Sequence, residues 1–207
     1  MRELTLRKLL RAGAFALVLA VLPVSGCGGE AEADLAGNVS KPAPASCPDE
    51  WRAGWQQLAD RIDAPVYCPS WLPAPLTPEI NGEWHSFDSV KRDRSYLMGF
   101  IWFEPGSGEV HVNFRGYPSS TKIPDCDGRP CFSDPQGKKT VGGVEVERYS
   151  VNRGADTWHL LYAWEREGSL YTVSQHVVPH LGLTYAKVGA NLDRIVRGLE
   201  LIEPTGA

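Results

Sequence analysis

Apolar side chains recur along this chain at two periods, and the periods divide it into helices and strands. Trp51, Trp55, Leu58 and Ile62 fall at i, i+4, i+7 and i+11, one stripe of a helix. The spacing predicts a helix over 48–62, with Ser46, Pro48 and Asp49 as its start signal. Period two then takes over. Segments 84–90, 96–103 and 109–115 read as strands, the last two joined through Pro105-Gly106-Ser107-Gly108. The third alternates cleanly, with Val110, Val112 and Phe114 inward and His111, Asn113 and Arg115 outward. Residues 116–139 form a long proline- and glycine-bearing excursion. Strands at 144–151, 157–165 and 170–177 follow, punctuated by Gly142-Gly143, Arg153-Gly154 and Glu167-Gly168. A helix over 184–197 carries Tyr185, Val188, Leu192 and Ile195 on one face, stops at Gly198, and leads into a short strand at 199–202. Strands bracketed by two helices predict an α+β fold: a single domain, mostly antiparallel sheet of about six or seven strands, with an N-terminal and a C-terminal helix.

The strands are unusually rich in aromatics. Segments 96–103 and 158–163 are apolar on both faces, as in strands covered on both sides. Helices over one face and the proline-rich segment 69–80 over the other account for this as a packed core. An apolar groove for a lipid or another hydrophobic molecule is the functional alternative.

The first 26 residues follow different rules. Arg2, Arg7, Lys8 and Arg11 make the cationic N-terminal end of an apolar run over 9–22, shorter than the ~20 residues that span a bilayer. The run closes in Val24-Ser25-Gly26-Cys27, which resembles the lipobox of bacterial lipoproteins. That resemblance implies a signal peptide over 1–26, a diacylglyceryl group on Cys27, and a mature chain starting at Cys27. A lipid-anchored protein on the extracytoplasmic side of a bacterial cell membrane is expected, with the membrane as its partner through Cys27. Residues 27–46 are polar and small-sided, a tether reaching on the order of 25 Å. Residues 47–204 form the globular domain.

Charge narrows the partners. The whole chain carries a net charge of −4; residues 1–26 hold four of its 21 basic and one of its 25 acidic residues, so the remainder carries −7. Nucleic acid and anionic headgroups both reward clustered Lys and Arg, so no nucleic-acid partner is expected. A protein or a hydrophobic small molecule remains open as ligand.

Four cysteines besides Cys27 read as two disulfides in an exported chain. A helix over 48–62 is roughly 22 Å long. Residues 63–68, extended, retrace about 20 Å and bring Cys68 back to Cys47. Cys126 and Cys131 then close the tight Cys-Asp-Gly-Arg-Pro-Cys loop. Zinc spacing and a Cys-x-x-Cys redox pair are both missing.

Chemistry-bearing motifs are scarce. Asp125-x-Asp127-Gly128 has the opening of a calcium loop but lacks its later ligands, and an acidic disulfide-closed turn explains it. His176 and His180 stand at i, i+4, yet Pro179 denies them a helix. Gly106-Ser107-Gly108 leads into a strand, so it is a hairpin turn. Neither Gly-x-Ser-x-Gly nor His-Glu-x-x-His occurs. The sequence therefore assigns no catalytic residue, no cofactor and no metal.

The Ala-Pro-Val-Tyr-Cys-Pro-Ser-Trp-Leu-Pro segment, the Val-Gly-Gly-Val hairpin, Gly-Ser-Leu-Tyr-Thr-Val and Asn-Leu-Asp-Arg-Ile-Val-Arg-Gly-Leu together resemble uncharacterised lipoproteins of actinobacterial type. The half from 138 to 202 resembles an extracytoplasmic domain of unknown function found in Gram-positive lipoproteins and anti-sigma-factor chains. This resemblance implies a non-enzymatic binding or sensing module. A carrier of lipid or another hydrophobic molecule is the first alternative, requiring a curved sheet around an apolar cavity. A cell-envelope enzyme is the second, requiring Ser, His and acidic side chains that converge in a cleft.

Overall fold

A computed structural model describes residues 46–105, 108–126 and 128–206. The expected signal peptide 1–26, Cys27, tether residues 27–45, turn residues Gly106 and Ser107, and Asp127 of the acidic turn lie outside the described residues.

Helix α1, Asp49–Ile62, buries Trp55, Leu58, Ala59 and Ile62. Trp51, expected on that stripe, sits half-buried at its edge. Pro48 rather than Ser46 occupies the N-cap, and its carbonyl accepts from the N–H groups of Trp51 and Arg52, both at 3.0 Å. Asp49 and Glu50 in the first turn suit the positive end of the helix dipole. Asp63, with φ of 46°, ends the helix and turns the chain back into β1, Val66–Pro69. Cys68 on β1 is bonded to Cys47, with Cα atoms 5.6 Å apart across 21 residues, as the return geometry requires. The returning segment is also a strand, pairing antiparallel with β9, Leu199–Ile202. Glu200 on β9 accepts from the Cys47 N–H at 2.7 Å and from Arg52 at 2.8 Å, tying the helix start to the same ribbon.

Seven antiparallel strands make the main sheet: β2 (His85–Val90), β3 (Tyr96–Glu104), β4 (Gly108–Tyr117), β5 (Pro135–Val141), β6 (Val144–Val151), β7 (His159–Arg166) and β8 (Ser169–His176). Their order across the sheet is β2-β3-β4-β8-β7-β6-β5. Helix α2, Tyr185–Arg197, opens on Thr184, whose side chain accepts from the Lys187 N–H, and closes at Gly198. The fold class is α+β. Strand β5 begins inside the aperiodic excursion and runs two residues past its expected end; only Val141 of it is buried, so a polar edge strand carried no alternation to read.

One face of the sheet supports the main core. Trp55 is fully buried, its ring centroid 6.2 Å from Phe100 and 5.7 Å from Phe114, and its indole N–H donates to the Pro78 carbonyl at 2.8 Å. Leu72 and Leu76 join this same core, so segment 69–80 packs on the helical side and not on the opposite face as expected. The opposite face is covered instead by the excursion. Phe132 packs there on Tyr149, Leu161, Ala163 and Leu170, with half-buried Cys131 beside it. The Cys126–Cys131 bridge closes that segment across 5 residues. A single phenylalanine in a polar loop gives no periodic signal, which is why this roof was not legible.

Trp55→Ala should cost about 3–5 kcal/mol in urea unfolding, the range for an emptied aromatic site. A loss below about 1 kcal/mol would show that α1 and the Phe100–Phe114 pair are not held together by this ring.

Candidate functional site

Three of the five histidines meet on the roofed face. Side chains on a strand alternate between faces, so the residues opposite Val112 and Phe114 on β4, Leu160 and Tyr162 on β7, and Val173 on β8 all point away from the main core. Those residues include His111, His159 and His176. His159 pairs directly with His176, and His111 stands one register step beyond the Val112–Gln175 pair. Adjacent strands β4, β8 and β7 therefore carry the rings as a cross-strand row. Ring centroids lie 4.9 Å apart for His111 and His176, 5.1 Å for His159 and His176, and 4.5 Å for His111 and His159. His111 and His176 are buried; His159 is half-buried.

Each ring nitrogen has a defined neighbour. The His159 Nδ1 lies 2.7 Å from the Thr157 carbonyl oxygen, and its Nε2 meets the Nε2 of His111. The His111 Nδ1 is 3.2 Å from Glu109 Oε1, out of alignment for a hydrogen bond, and has no other partner. His176 faces two backbone carbonyls, Glu109 O from Nδ1 at 3.0 Å and Asp156 O from Nε2. Glu109 shares the turn end of β4 with His111, two residues away along the strand.

Burial disfavours the charged imidazolium. Desolvation first, and then the neighbouring rings of His159 and His176, push His111 down to about 3. Burial likewise pushes His159 down to about 4, with Thr157 opposing and His176 and Arg115 assisting. Both rings are thus neutral bases near neutral pH. Glu109, His111 and His176 can each present one ligand atom within 4.8 Å of the others, a donor set able to hold a metal ion.

Two clefts reach the row. A cavity of about 230 Å³ runs under the roof, with His111, His159, Asn113, Arg115 and Phe132 in its wall. A larger cleft of about 580 Å³ reaches Glu109 and His176, lined also by Trp158, Val178, Pro179 and His180.

No protein-family model, curated protein or solved structure matches this chain. Its site must be read from its own geometry.

The residues singled out in the sequence fare unevenly. His111 and Asn113 do leave the main core as alternation requires, yet both are buried beneath the roof rather than exposed. His176 enters the row, whereas His180 lies in the 3-10 turn Pro179–Leu181 that follows, outside the cluster. Asp125 stays in the disulfide turn, where its side chain accepts from the Gly128 N–H at 2.8 Å. The row itself was missed. Its available signal was three histidines at off-core parity near the ends of three strands; the β4-β8-β7 order needed to align them is not written in any local pattern.

Acid stability should report the depressed imidazoles. Unfolded histidine titrates near 6.5. As pH falls below that value, the unfolded chain takes up protons that folded His111 and His159 refuse, so stability declines until their folded values near 3 and 4 are reached. In chelator-treated protein, melting temperature should drop between pH 7 and 4, and drop less in His111→Asn. An identical acid slope in wild type and variant would contradict the assignment.

Proposed function

We propose that this protein is a lipid-anchored extracytoplasmic binding module of the bacterial cell membrane, without chemistry of its own, and that the roofed histidine face is its ligand site. The contrast between the two faces of the sheet carries this reading. One face is filled by a continuous apolar core around Trp55, Phe100 and Phe114. The other holds three buried or half-buried imidazoles beside two clefts. Burying a polar atom costs stability unless it is partnered, and the buried Nδ1 of His111 has no hydrogen-bond partner, so a ligand site is the better account of the row.

Other features support the setting. The two disulfides suit an oxidising compartment outside the cytoplasm. Among the described residues no helix is long and apolar enough to cross a membrane, and in this reading a lipid on Cys27 supplies the anchor. The resemblance to actinobacterial lipoproteins points the same way. A lipid carrier would use an apolar cavity, but the apolar face here is occupied by packed side chains. A triad-type hydrolase would couple an imidazole to a nucleophile; among the described residues, none of the three rings is hydrogen-bonded to a Ser, Thr or Cys side chain.

Cys27→Ser separates the anchor from the binding face. The full chain expressed in a bacterial host should incorporate labelled fatty acid and fractionate with the membrane. The variant should lose the label and either leave the membrane or retain its signal. Native mass spectrometry of both proteins should show the same small adduct, lost in His111→Asn. A mature-length, unlabelled variant that stays in the membrane contradicts the anchor. An adduct insensitive to His111→Asn contradicts the site.

A further inference from the structure

We propose that Glu109, His111 and His176 bind a divalent transition-metal ion of the zinc and copper class, with His159 as the positioning residue for His111; this rests on the reading of the histidine face as the ligand site. The direction of each hydrogen bond carries the proposal. A backbone carbonyl only accepts, so Thr157 fixes the proton of neutral His159 on Nδ1 and leaves a lone pair on its Nε2. That lone pair faces His111 Nε2, which must then donate. A neutral imidazole has one N–H. Nδ1 of His111 is therefore a bare lone pair, buried, without a hydrogen-bond partner, and 3.2 Å from a carboxylate oxygen of Glu109.

Two electron-pair donors this close repel each other unless a cation bound off the line between them accepts from both. Ligands 2.0–2.1 Å from a tetrahedral zinc ion stand about 3.3 Å apart, close to the separation of His111 Nδ1 and Glu109 Oε1. His176 supplies the third donor. Its Nδ1 faces the Glu109 carbonyl and its Nε2 the Asp156 carbonyl; a ring that donates its single N–H to Asp156 leaves the Nδ1 lone pair beside Glu109 as the third donor. Ligand atoms of the three residues fall within 4.8 Å of one another.

The chain from Thr157 through His159 to His111 has the form of an outer-shell relay: a ligating histidine whose second nitrogen donates to a fixed acceptor. Two imidazoles with one carboxylate favour zinc, copper, nickel or ferrous iron over magnesium and calcium, which prefer all-oxygen shells. Three protein ligands leave a coordination position open. The Glu109 side chain is 42% exposed and, with His176, borders the 580 Å³ cleft, so an ion has a path in and an exogenous ligand has room to complete its shell.

Competition of the EDTA-stripped, tag-free full-length protein against a chromophoric chelator tests this directly. One equivalent of Zn²⁺ or Cu²⁺ should bind per chain, with Mg²⁺ and Ca²⁺ failing to compete. His111→Ala and His176→Ala should each weaken binding at least 100-fold, and Glu109→Gln, at a partly exposed position that leaves the core intact, about 10-fold or more. His159→Gln should weaken it about 10–100-fold, the usual outer-shell loss, while the visible bands of bound Co²⁺ keep their wild-type positions. His85→Gln, on edge strand β2 and in the wall of neither cleft, should bind as wild type. Zn²⁺ affinity unchanged in Glu109→Gln and His111→Ala, or equally lost in His85→Gln, would overturn the ligand set. A non-metal adduct at the histidine face would overturn the metal assignment while leaving the binding reading intact, and no uptake of metal together with no adduct would overturn both.

Discussion

Strand β8 is buried along all eight of its residues, Ser169–His176, and the rest of the structure depends on satisfying both of its faces. Alternation sends Tyr171, Val173 and Gln175 toward the helices and Thr172, Ser174 and His176 toward the other side. A central strand with an apolar face and a polar face requires two different covers. Helices α1 and α2 with segment 69–80 supply the first. The disulfide-closed excursion, pinned by Phe132, supplies the second. The imidazole row follows from this constraint, because β8 pairs with β4 on one side and β7 on the other and sets their histidines in one line.

Polar groups also cross into the apolar side, and two of them are partnered to α2. Asn191 on α2 donates to Gln175 at 3.1 Å, and the Tyr162 hydroxyl donates to Asp193 at 2.9 Å. These bonds fix α2 over β7 and β8, which in turn keeps the register that aligns the histidines on the far face. The Cys47–Cys68 bridge and Glu200 act similarly on α1, fastening its start to the β1-β9 ribbon. Scaffold and site are thus mechanically linked through one strand pair.

Most elements were legible because their signals are local. The Trp55-Leu58-Ile62 spacing, the Val110-Val112-Phe114 alternation, the Thr184 cap and the Gly198 stop each depend on a few neighbouring residues, and each element forms where those signals lie. Both cysteine pairings were legible too, since helix length and loop length are geometric quantities. What escaped was non-local. Strand β5 is a polar edge whose pairing with β6 supplies its order. The roof depends on Phe132 meeting Tyr149 and Leu161 from distant segments. The site needed a strand order, and residues 111, 159 and 176 acquire meaning only when β8 is placed between β4 and β7. The side chains that bear chemistry sit at off-core positions, where hydrophobic patterning says least.

The central claim is that the fold dictates where the His159 and His111 protons reside, leaving one buried lone pair on His111 beside Glu109. Long-range ¹H–¹⁵N correlation spectra of the metal-free protein at neutral pH read this without perturbing the chain. The account requires His159 protonated on Nδ1 and His111 protonated on Nε2, each as a single neutral tautomer. A His111 proton on Nδ1, or a doubly protonated His111 ring, would contradict it.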